Sequence, residues 1–110
     1  MSTLKLSENV MLIQLSAETQ IGKELSEVNK TLTDGCDYHV LIDFSRVEMI
    51  TSANISNLMI LDSLVRDSGH SLVLYNVAFP TRCIFKVVGL EEHFNFAEDK
   101  EDALAKTESR

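Results

Sequence analysis

The 110-residue chain has no Trp, a single Pro (Pro80), four Gly and two Cys, and each shortage excludes something. With so few glycines there is no GxGxxG or GxxxxGK[ST] loop, so nothing in the sequence points to nucleotide binding. Cys36 and Cys83 stand far apart with no CxxC spacing, which predicts two reduced structural thiols rather than a disulfide or a metal site. One Pro and no Ser/Gly-rich stretch leave no linker and no internal boundary, so residues 1–110 read as a single domain. Basic residues are also scarce. Ten Lys and Arg against seventeen Asp and Glu give a formal charge of −7, which argues against nucleic acid and anionic membranes as partners. No apolar run reaches the roughly 18 residues that span a bilayer; Asp62 breaks the longest, at 57–65. The apolar residues at 10–15 are interrupted by Gln14 and lack a cleavage pattern, so they do not read as a signal peptide. The expected compartment is the cytoplasm, where the sequons at Asn29 and Asn54 have no meaning.

What is present is ordinary globular material, 45% hydrophobic and 25% charged. Leu4 and Leu6, then Val10, Leu12, Ile13 and Leu15, flank a polar Ser7-Glu8-Asn9 turn and predict an opening β-hairpin. From Glu18 onward, Ile21, Leu25, Val28 and Leu32 recur at helical spacing, with Lys23, Glu24, Glu27 and Lys30 assigned to the solvent side. The run His39-Val-Leu-Ile-Asp43-Phe44 predicts a strand covered on both faces, in the middle of the sheet. Ile55, Leu58, Met59, Leu61, Leu64 and Val65 place the longest helix over Ser52–Asp67, stopped by Ser68-Gly69. A strand at 71–75, a helix from Pro80 to Gly89, a short strand at 94–96 and an acidic helix at 98–106 follow. The order is ββαβαβαβα, an α/β domain with a four- to five-stranded, mostly parallel or mixed sheet and about four helices.

Candidate chemistry is sparse. Asp43 ends a strand, but no second acid, His or ligand pattern is spaced to join it, so its expected role is a turn with Ser45. His39, His70 and His93 fall in three elements without HxxH or HExxH spacing and read as scattered. The methionines and the pair Phe94 and Phe96 read as core. The acidic run at 98–102 reads as the solvated first turn of the last helix. No catalytic residue, metal or cofactor is predicted, and the chain does not read as an enzyme. Ser52, by its place at a helix start, reads as a cap.

The element order and three local motifs resemble the STAS domain, the family of anti-sigma factor antagonists and their relatives. The stretch VLIDFSRVEMITSANIS at 40–56 resembles the family's strand "hhLDhs" leading through "V-x-F-I" to "D-S-S-G-L-G" at a helix start. Gly69 to Asn76, with Arg82, Ile84 and Phe85 up to Gly89-Leu90, resembles its "GG-x-L-x-L-x-x" strand and the helix closing in "x-GL". Phe94 to Ala103, with Glu101-Asp-Ala-Leu104, resembles the final "F-x-I-x-x-s-x-x-E-A-L".

The resemblance implies a partner-switching regulator of transcription. In the family the first Ser of "D-S-S-G" accepts a phosphate from a partner serine kinase of the histidine-kinase-like ATPase type, itself the anti-sigma factor. Here that Ser is Ser52, with Thr51 as a second candidate acceptor, and the implied partner-binding surface is Thr51, Ser52, Ala53, Asn54 and Ser56. A phosphate adds roughly −1.5 to −2 charges and three acceptor oxygens beside Glu48. The chain departs from the motif at this spot: Thr51 replaces the acid, Ala53 the second Ser, and Asn54 and Ser56 the two glycines. Two side chains then stand where the family keeps bare backbone, and they are expected to hold a partner further away. The alternative implied by these departures is a STAS scaffold or transporter-associated subunit that works without phosphorylation.

Overall fold

The computed structural model describes residues 2–16, 18–48 and 50–108. Met49, inside the motif at 40–56, and Met1, read above as core, lie outside the described residues, as do 17, 109 and 110 of the expected domain. The elements are β1 (Ser2–Ser7), β2 (Val10–Gln14), α1 (Glu18–Thr31), β3 (His39–Asp43), α2 (Ser52–Asp67), β4 (Leu72–Tyr75), α3 (Phe79–Val87), β5 (Asn95–Ala97) and α4 (Lys100–Glu108). The order ββαβαβαβα is the one expected from hydrophobic periodicity. The strands form one mixed sheet in sequence order, β1 antiparallel to β2 and every later pair parallel. β3 therefore lies at the centre, and its Val40, Leu41 and Ile42 are all buried.

Alternation along the strands divides the core. Ile13, Val40, Ile42, Leu72 and Leu74 point to one face, where α1, α2 and α3 deliver Ile21, Leu25, Leu58, Leu61, Val65 and Phe85. Leu12, Leu41, Val73 and Tyr75 point to the other, which α4 covers with Ala103 and the half-buried Leu104. Each fully buried Leu, Ile or Phe contributes about 1.5–3 kcal/mol relative to exposure, so the three-helix face dominates stability.

Several boundaries and surroundings differ from the sequence reading. α3 begins at Phe79, with Ala78 as cap and Pro80 in the first turn, where its missing N–H costs nothing. β5 is shifted one residue, to Asn95–Ala97. α4 begins at Lys100 because Asp99 caps it: the Asp102 N–H donates to Asp99 Oδ1 at 2.9 Å, while Asp102 Oδ2 accepts from the Glu98 N–H at 3.0 Å. The first acids of the 98–102 run thus precede the helix rather than forming its first turn. Glu24, assigned to solvent, is buried, and its carboxylate accepts from both the N–H and the hydroxyl of Ser16. Phe94 is buried and Phe96 is packed against the core, but Met59 is exposed, because the sheet is already covered by the next residues round α2.

Candidate functional site

At the carboxyl end of β3 the chain must turn away from the sheet and enter α2. Asp43 begins the turn: its Oδ1 accepts the Ser45 N–H at 2.8 Å, as the sequence predicts, and the Val47 N–H closes the next turn on the Phe44 carbonyl at 2.9 Å. Phe44, Val47 and Ile50 are buried and nail the connection to the core. From neighbouring strands, the amides of Gln14 and Asn76 reach Asp43 at 3.4 and 3.5 Å. Asn76 takes a left-handed φ of 56°, a conformation asparagine tolerates better than most residues. Beneath them Tyr75 is buried, and burial together with the nearby Asp43 pushes its phenol up to about 12. The last anchor comes from α3, whose buried Thr81 donates its hydroxyl to the Glu48 carbonyl at 3.1 Å. The sequence reading missed Thr81, since a Thr in an amphipathic helix carries no signal of a partner 33 residues away.

This anchored loop presents two adjacent hydroxyls in different states. Thr51 is the N-cap of α2, extended at φ −96° and ψ 164°, and its Oγ1 accepts the Asn54 N–H at 3.2 Å. Ser52, read from the sequence as the cap, is instead the first helical residue: the chain reaches helical geometry one residue earlier than that reading requires. Its side chain is exposed, and its hydroxyl makes no hydrogen bond to any described residue. Glu48 is exposed on the same connection. The first turn of α2 carries no acid, so the positive end of the helix dipole is uncompensated there and favours an added negative group.

The remaining site residues divide. Ala53 and Ser56 are exposed with Thr51 and Ser52, so four of the five predicted surface residues share one outer face. Asn54 does not. It is buried and packs toward α1, where a Cβ on Gly22 would stand 3.1 Å from its Oδ1. The Asn54 side chain therefore cannot hold a partner away, and only Ser56 adds bulk to the outer face. A glycine inside an amphipathic helix costs about 1 kcal/mol relative to Ala, and Gly22 was the available sign that something approaches α1 closely.

The histidines are less scattered than their sequence positions suggest. His39 and His70 stack edge to face with centroids 5.0 Å apart, and His39 Nδ1 accepts the Ser71 N–H at 3.0 Å. His93 Nε2 lies 3.2 Å from Oδ2 of the buried Asp62, which also receives Arg66 at 3.1 Å. Burial pushes the Asp62 carboxyl up, against the opposing pull of Arg66 and His93. No group of three His, Cys, Asp or Glu among the described residues is placed to hold a metal ion. Cys36 and Cys83 are both free. No described helix is long and apolar enough to cross a membrane.

No protein-family model and no curated protein matches this sequence. Solved structures do match in fold. An anti-sigma-factor antagonist (STAS) domain protein from Planctomyces limnophilus superposes with a TM-score of 0.83 at 18% identity, covering 97% of each chain. The anti-sigma factor antagonist SpoIIAA in its unphosphorylated form gives 0.78 at 14% identity, over 99% of this chain and 96% of its own. A sulfate transporter family protein from Wolinella succinogenes gives 0.76 at 16% identity, over 96% of this chain and 90% of its own. The fold is that of the STAS domain, shared by antagonists and by transporter proteins alike.

Proposed function

We propose that this chain is a regulatory binding module of the anti-sigma factor antagonist type, whose partner binding is switched by phosphorylation of Ser52. The observation that carries the reading is the division of labour between neighbours. Thr51 spends its hydroxyl on the cap, while Ser52 offers an uncommitted, exposed hydroxyl on a rigidly anchored helix start. SpoIIAA, which has the same fold, exists as structures of an unphosphorylated and a phosphorylated form. The partner in this reading is a cytoplasmic anti-sigma factor that is also a serine kinase. It would meet Thr51, Ser52, Ala53 and Ser56 together with Phe79, which is 79% exposed in the first turn of α3 beside the Thr81 anchor. A phosphate on Ser52 is tolerated by the helix, whose dipole it complements, and is repelled by any acidic or tightly packed partner surface. The module needs no cofactor and carries out no catalysis of its own.

The test is intact-mass measurement of the protein isolated from its native cell, with peptide mapping across 47–61. A gain of about 80 mass units on Ser52, absent from a Ser52→Ala variant, is the expected result. Label on Thr51, or none under any growth condition, overturns the switch. A second reading, a subunit that binds constitutively within a transporter or scaffold, is favoured by the likeness in fold to the sulfate transporter family protein. It predicts that Ser52→Asp leaves partner binding intact, whereas the switch predicts its loss from a protein that stays folded.

A further inference from the structure

On the three-helix face, the hairpin and α1 do not close on each other. Thr3 pairs with Ile13 and Lys5 with Met11, so β1 offers this face only polar side chains. α1 buries Ile21 and Leu25 against the sheet, but Val28 in its last turn and Leu32 just past its end have no apolar residue of β1 to settle on. A cavity of about 220 Å³ remains between them. Its floor is Ile13, Cys36 and Val40, none more than 3% exposed. Met11, Val28, Leu32 and Tyr38, all half-buried, form the walls. Cys36 does not make it a reactive site, because its thiol donates to the Tyr38 carbonyl at 3.1 Å.

From this geometry we infer that the cavity is a binding site for a small neutral compound, a ring or short chain of about ten non-hydrogen atoms with a hydrogen-bond donor at one end. An apolar void of roughly 150 Å³ is enough to hold benzene, so this one takes a somewhat larger body. Its mouth is set by Thr3, Thr31 and Glu27. The Thr31 hydroxyl already donates to the Glu27 carbonyl at 3.0 Å, so it faces a ligand as an acceptor, and the Glu27 carboxylate accepts as well. Phenol-like or indole-like N–H and O–H groups suit that mouth. A carboxylate is repelled by Glu27, and no Lys or Arg lines the cavity to offset it; the Lys5 ammonium lies 5.5 Å over the Tyr38 ring. This inference is independent of the Ser52 reading, since the lining residues include none of α2.

Indole is the probe, titrated into the whole protein while the methyl resonances of Ile13, Val28, Leu32 and Val40 are followed. Saturable shifts confined to those methyls, with half-saturation at about 1 mM or tighter, are expected. Val28→Phe fills the cavity and Thr31→Phe, at an exposed position, covers its mouth; each is expected to weaken indole roughly tenfold or more. Benzoate is expected to bind at least about tenfold more weakly than indole, a gap that Glu27→Gln narrows. No saturable shifts, shifts unchanged by both Phe variants, or shifts spread to Ile60 and Val87 overturn the site. Equal binding of benzoate and indole overturns the assignment of the ligand's polar end.

Discussion

The two faces of the sheet are built to different standards. Beneath α1, α2 and α3 lie large side chains, Phe44, Phe85, Leu58 and Leu61 among them, each no more than 1% exposed. Beneath α4 lie Leu12, Leu41, Val73 and Tyr75, buried as well, but the helix covers them only with Ala103 and the partly buried Leu104. The candidate site sits on the first face, at the start of its central helix, and the buried Asp62 is carried by that same helix. The difference teaches where precision is needed. The exposed hydroxyl of Ser52 is carried by the side of the sheet that the larger buried side chains cover.

The comparison can be broken at several depths. Leu58→Ala, at a fully buried α2 position, is expected to cost about 2–5 kcal/mol, whereas Leu104→Ala on the α4 face should cost well under that. Urea denaturation of both variants decides it, and equal losses would abolish the distinction between the faces.

Asp62 tests the same face by its charge. Its carboxyl pKa is raised by burial, so the folded state holds this proton more tightly than the unfolded one. Its contribution to stability is therefore greatest below the ordinary carboxylate range and declines as pH rises through the raised folded value. Asp62→Leu removes that decline and is expected to raise stability at pH 7 by about 1 kcal/mol, because the solvated Arg66 and half-exposed His93 need no buried partner. Thermal unfolding from pH 4 to 7 measures it; a large loss would mean that the ion pairs hold α2 to the connection before β5.

The neighbouring hydroxyls sharpen the comparison at the site. Thr51→Ala removes the cap and is expected to cost about 1 kcal/mol. Ser52→Ala should lie within about 0.5 kcal/mol of the parent while abolishing any phosphate on this peptide. Chemical denaturation with mass spectrometry reads both, and a reversal of the two costs would make Ser52 the cap after all.

The smallest effect concerns the α1 and α2 contact. Gly22→Ala should gain little by itself, since the new methyl crowds Asn54 Oδ1 at 3.1 Å. In an Asn54→Ala background it should recover the full helix-propensity gain of about 1 kcal/mol. A double-mutant cycle that closes to zero would show that the two residues do not interact.

Periodicity was enough to read the element order, the central place of β3 and the helix span Ser52–Asp67, because apolar side chains must repeat every 2 or 3.6 residues to reach a core. The Asp43–Ser45 turn was legible for the same local reason, a short carboxylate reaching its own backbone. Which of two consecutive hydroxyls caps α2 was not, since both Thr and Ser can do it and the choice depends on where the buried Phe44, Val47 and Ile50 bring the chain into the helix. Nor could spacing turn Asn54 inward onto Gly22, seat Glu24 beneath Ser16, bring His93 to Asp62 or tie Thr81 to Glu48. Those are contacts between elements, and their free energies are set by how helices settle on the sheet in three dimensions. The sequence by itself determined the elements and the helix start that carries Ser52; only the tertiary structure decided which of the residues there are spent on the fold and which are left exposed, because burial and capping are set by how α2 settles on the sheet and α1.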